Sequence, residues 1–81
     1  MTAADVQAVS RHVEDAHPGL AVALSKSGGR VDVDASKLNG KAACDLMDAL
    51  VASLGREGRD WDVWMCMGDR IIHITEKEAS Q

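Results

Sequence analysis

WDVWMCMGDRIIHIT, residues 61–75, is the stretch whose reading decides the fold. Apolar residues stand on both sides of Gly68-Asp69, a pair suited to a tight turn. Closed by that two-residue turn, the two arms set Met65 opposite Ile72, Val63 opposite Ile74 and Trp64 opposite His73. Side chains alternate along a strand. Trp61, Val63, Met65, Ile72 and Ile74 therefore share one face, and Trp64, Cys66, Ile71 and His73 share the other. A hairpin apolar on both faces is either central in its sheet or meets a partner on its second face.

Upstream, Ala43, Leu46, Met47, Leu50 and Leu54 recur at helical spacing, with Ala42, Ala49 and Val51 widening the stripe. Ser36 or Asn39 caps the start of this helix, and Gly55 is expected to end it as a left-handed cap. Before it, residues 20–25 alternate large and small apolar side chains, and residues 31–35 read Val-Asp-Val-Asp-Ala. A turn centred on Gly28-Gly29 joins them and pairs Leu24 with Val33 and Val22 with Ala35. At the front, Thr2-Ala-Ala-Asp5 has the form of a capping box. Val6, Val9, Val13 and Ala16 follow at helical spacing until His17-Pro18-Gly19, which predicts a first helix over residues 3–16.

The order is αββαββ. The crossover from the second strand through the second helix to the third leaves room for one strand between them. If strand four fills the gap, the order is 3-4-2-1, a permuted ferredoxin-like sheet. If strand one fills it, the order is 4-3-1-2, that of an open-faced β-sandwich. Asp32 and Asp34 occupy the second face of strand two, where strand one carries only Ala21, Ala23 and Ser25. Charges favour edges, which selects 4-3-1-2, with strands three and one central and strands two and four outside. The expected fold is α+β: a two-layer sandwich of a four-stranded antiparallel sheet with two helices on one face. Residues 1–81 form one domain, with 77–81 a disordered tail.

Residues 19–55 resemble the HPr phosphocarriers of bacterial sugar transport in their hairpin, in the small-residue start of the following helix and in the order of elements. That family carries a phosphorylated histidine, followed by Arg-Pro, at the head of its first helix. It has no counterpart here, since Ala3 and Ala4 occupy that region, and the family's first strand is missing. The resemblance implies no activity and no site residue.

With 81 residues, 46% of them hydrophobic, the chain can bury one small core and is not a disordered segment. A net charge of −4 opposes general nucleic-acid binding, which needs clustered Lys and Arg. It also weighs against a single-strand RNA reader using Trp64 on an open sheet. No apolar run approaches a membrane span, and no charged-then-apolar signal segment opens the sequence. Cys44 and Cys66 make no metal spacing and no disulfide framework; both read as reduced, structural thiols, Cys44 as a small packing residue at the edge of the helix stripe, and the localisation read from them is cytoplasmic.

Candidate chemistry is sparse. His12 flanks the first helix, His17 suits the helix C-terminus, and His73 lies opposite Trp64; none has a partner at ligand spacing. Alternation sends Cys66 away from Met65 and Met67, which breaks a sulfur cluster for copper. Residues 25–30 join two strands and aim no helix N-terminus at an anion, so they are a hairpin and not a phosphate loop. Asp32 and Asp34 read as a solvated edge.

The function expected is a small non-enzymatic protein–protein interaction module: a regulator, inhibitor or accessory subunit from a microbe or a phage. It self-associates as a homodimer, or binds another protein, through Trp64, Cys66, Ile71 and His73 with Ala21 and Ala23 beside them. No cofactor, metal, nucleic acid or membrane enters this reading. The alternative is a small-molecule or anion-binding domain, or a minor enzyme subunit, that uses the basic rim of Lys26, Arg30, Lys37 and Lys41.

Overall fold

α1 (Ala3–Ala16) opens on the expected capping box: the Thr2 hydroxyl accepts the Asp5 N–H, and the Asp5 carboxylate accepts the Thr2 N–H at 2.8 Å. In this computed structural model, residues 1–76 are described. β1 (Val22–Leu24) and β2 (Val31–Asp34) follow, then α2 (Gly40–Arg56), β3 (Trp61–Cys66) and β4 (Ile71–Glu76). The tail expected at 77–81 lies outside the described residues. Asn39 caps α2, its side chain accepting the Ala42 N–H at 2.8 Å.

The left-handed residue that ends α2 is Gly58, at φ +75°, and not Gly55. The Gly58 N–H donates to Gly55 O and the Arg59 N–H to Leu54 O, closing a Schellman motif one turn beyond the expected place. The extra turn keeps Leu54, at 1% exposure, in the buried stripe.

The sheet is antiparallel throughout, and both helices cover one face, as expected. Its order is β1-β2-β4-β3, which corrects the favoured 4-3-1-2 and matches the permuted ferredoxin-like alternative. β2 and β4 are central; β1 and β3 are the edges. Val31, Val33, Ile72 and Ile74 are fully buried, and adjacent pairing of β2 with β4 sets all four beneath the helices. Assigning Asp32 to an edge fails because its charge is met laterally, by Arg30 and by His73 on β4.

The second hairpin keeps the expected register, with Val63↔Ile74, Trp64↔His73 and Met65↔Ile72. Its loop differs. The left-handed residue is Arg70, at φ +54°, and its N–H donates to Cys66 O at 2.7 Å. A non-glycine residue there costs on the order of 1 kcal/mol. Its contacts offset that cost: Arg70 O accepts the Ala35 N–H and its guanidinium donates to Ser36 O, so the end of β2 is tied to this loop.

The first hairpin pairs Val22↔Val33 and Leu24↔Val31, two residues from the expected register. Gly28, at φ +76°, takes the left-handed position inside a longer loop. A slip of two preserves every face, so the alternating pattern is equally content with both. Leu24, expected opposite the buried Val33, lies instead at the end of an edge strand and is 40% exposed. Val9, Val13, Leu46, Leu50, Leu54, Val33 and Ile72 are buried together, with Val6, Val22, Val63 and Met65 against them.

Leu50, at 1% exposure, lies in the middle of that layer. Leu50→Ala should lower the unfolding free energy by roughly 2–5 kcal/mol in a urea titration. A loss below about half a kilocalorie per mole would mean that α2 does not depend on this contact.

Candidate functional site on the open sheet face

Opposite the helices, side chains of the four strands fall into rungs. One runs Ala23, Asp32, His73, Trp64 from β1 through β2 and β4 to β3. The next holds Asp34, Ile71 and Cys66, and the Asp34 N–H donates to Ala21 O at 2.9 Å. All six residues expected to bind a partner are therefore on this face, but not as one apolar patch. Ala21 and Ala23 lie on the β1 side, separated from Trp64, Cys66, Ile71 and His73 by Asp32 and Asp34. The expected adjacency of strands one and three is what placed them together, and the observed strand order removes it.

The centre of the face is a polar chain. Arg30 Nε and His73 Nδ1 each donate to Asp32 Oδ1 at 2.8 Å, and the Trp64 ring lies tilted against the His73 ring, centroids 5.5 Å apart. Burial raises the Asp32 pKa, but the hydrogen bonds from His73 and Arg30 outweigh it and hold the carboxyl below its ordinary value. Asp34 is also held low, first by its hydrogen bonds to the Ser36 side chain and N–H. Sequence reasoning missed this chain. Asp32 and His73 are 41 residues apart, and only the β2–β4 pairing joins them.

An aspartate that orients a histidine is one part of an acid–base device, which also needs a reacting group within reach of the other ring nitrogen. Pairing sets Cys66 opposite Ile71, one rung from His73, with its Sγ 3.9 Å from where a Cβ on Gly68 would sit. Cys66 is exposed, which a structural thiol would not be, and Cys44 is half-buried, as suits a packing residue at the edge of the α2 stripe. Among the described residues, no group of three or more His, Cys, Asp or Glu side chains is placed to hold a metal ion. Nor is any helix of the described residues long and apolar enough to cross a membrane.

The other candidates are scattered. His17 is the C-cap of α1, and His12 Nε2 lies 3.1 Å from Glu57 Oε2, within ion-pair reach but off hydrogen-bond geometry. Lys26 and Arg30 flank the start of β2, whereas Lys37 and Lys41 follow its end. Arg30 is engaged by Asp32, and Lys41 by Asp45 at 3.0 Å. No protein-family model, curated protein or solved structure matches this chain, so its functional reading rests on its own residues.

Asp32 gives the face a pH signature. A carboxyl whose folded pKa lies below its unfolded value stabilises the fold above the unfolded value, near 3.8, and loses that contribution as pH falls through the folded one. Between about pH 5 and pH 2.5, the thermal midpoint of Asp32→Asn should fall less steeply than that of the wild type. Parallel slopes would show that the Arg30–Asp32–His73 chain adds nothing to stability.

Proposed function

We propose that this chain is a small non-enzymatic protein-interaction module, in the role of a regulator, inhibitor or accessory subunit, that self-associates with Trp64 at the centre of the contact. One observation carries the reading. Trp64 is 43% exposed on the sheet face that neither helix covers, with Ile71 and Cys66 in the next rung. Exposed tryptophan beside apolar neighbours is what interfaces concentrate, because a flat ring buries much area at little entropic cost. The Arg30–Asp32–His73 chain supplies the polar flank of such a contact, already paired and so cheap to desolvate.

The alternative, an anion or small-molecule site on Lys26, Arg30, Lys37 and Lys41, has less support. Those cations lie toward opposite ends of β2, and two of them are paired with carboxylates.

Sedimentation velocity tests the reading. The wild type should sediment as a dimer, and Trp64→Glu as a folded monomer, with self-affinity lowered about thirtyfold or more, as for a central interface residue. A wild type that stays monomeric at about millimolar concentration, far above typical dimer dissociation constants, would remove it.

A further inference from the structure

We infer that two copies join edge to edge along β3, on a two-fold axis through Trp64, to form one continuous eight-stranded sheet. The inference rests on the reading that the partner is a second copy, and adds how that copy sits.

β3 is six residues long and, among the described residues, pairs on one side only. Unpaired edges are normally blunted by proline, lysine or a covering element. β3 holds neither residue, and Asp62 is its only charge. Cys66 O accepts the Arg70 N–H, so the backbone groups of Cys66 face β4. Alternation then turns those of Val63 and Met65 outward, ready to pair with another strand.

The side chains choose the partner. A two-fold axis normal to the sheet sets like faces opposite one another, so a residue pairs with one an even number away. An axis at Asp62 would oppose two carboxylates. At Val63, it would oppose Asp62 to Trp64. At Trp64, the two Trp64 rings meet on the open face, Val63 meets Met65 on the helix side, and Asp62 meets Cys66. That register sets no charge against like charge and no carboxylate against an indole; an axis at Met65 does so too, but within β3 it pairs only Trp64 to Cys66 and leaves Asp62 off the ladder.

It also places two features that the monomer leaves unexplained. Val51 on α2 is 51% exposed, and Met67 in the second hairpin is 61% exposed. Val51, Gly55, Gly58, Arg59, Asp60 and Trp61 line a cleft of about 360 Å³ where α2 leads into β3, and the Arg59 guanidinium sits 5.0 Å from the Trp61 ring centroid. In the Trp64-centred register, Met67 of the second copy falls opposite Trp61, beside this cleft. An unbranched thioether suits the irregular space between Val51 and the Trp61 indole, with the charged Arg59 and Asp60 at its rim.

Cross-linking tests the register. Asp62 and Cys66 would form a non-hydrogen-bonded pair across the dimer, with Cα atoms about 4.5 Å apart, within disulfide reach. Asp62→Cys, oxidised with diamide, should give a covalent dimer. Peptide mass mapping should join the introduced thiol to Cys66 of the second copy. Positions 62 and 66 of one strand are about 13 Å apart, too far to bridge internally. Val51→Glu should weaken the dimer about tenfold or more, as charge entering an apolar contact does. Ala23→Glu, on the far edge of the open face, should leave the dimer intact. Circular dichroism confirms that each variant is folded. A dimeric wild type with no 62–66 link, split by Ala23→Glu, would overturn edge pairing in favour of face-to-face contact and leave the proposed function standing. A monomeric wild type would remove both.

Discussion

The fold depends on the pairing of β2 with β4. These strands come from opposite halves of the sequence, yet Val31, Val33, Ile72 and Ile74 are the fully buried floor on which both helices rest. Two helices can shield only one face of a four-stranded sheet, and most thoroughly its middle. The strands richest in β-branched residues therefore occupy the centre, while β1, with Ala21 and Ala23, is left at an edge. α1 and α2 are fastened around this floor by contacts between distant segments. Arg59 bonds Asp5 and Glu57, and Glu57 lies against His12. The Asp5 carboxyl is held low, first by the Thr2 N–H, and Glu57 first by His12.

The same pairing decides the chemistry of the other face. A charged residue in a central strand is costly unless it is met by partners, and Asp32 is met by two. Because His73 is held by Asp32, it offers Trp64 a fixed surface to lie against. The indole is thus oriented without being buried, a condition that lowers the entropic cost of a later contact. The polar chain also divides the face into a small-residue side on β1 and an apolar side on β3 and β4.

Trp64 belongs to two surfaces at once. It stands on the open face and also on the unpaired edge strand. The edge continues onto the exposed side of α2 through Val51 and the cleft at Trp61. The exposed indole, the open edge and the cleft at Trp61 thus adjoin one another along one margin of the molecule. Its basic residues, by contrast, are dispersed or neutralised.

What the sequence determined by itself was local. The capping box at Thr2 and Asp5 set α1 to Ala3–Ala16, Asn39 was a recognised cap of α2, and alternation in residues 61–75 predicted the pairs Trp64↔His73 and Met65↔Ile72. Each rests on residues a few positions apart, where spacing alone carries the information. Alternation could not separate registers that differ by two, so the first hairpin was placed wrongly while its faces were right. Nor could it see that Asp32 would find His73, so a strand that is central read as an edge. The positive φ at Arg70 was equally hidden, because the contacts that offset it reach Ala35 and Ser36 on another strand. Strand order, the Arg30–Asp32–His73 chain and the exposure of Trp64 were decided by the tertiary structure. They follow from which strands share the cover of two helices, a competition among segments far apart that no local pattern records.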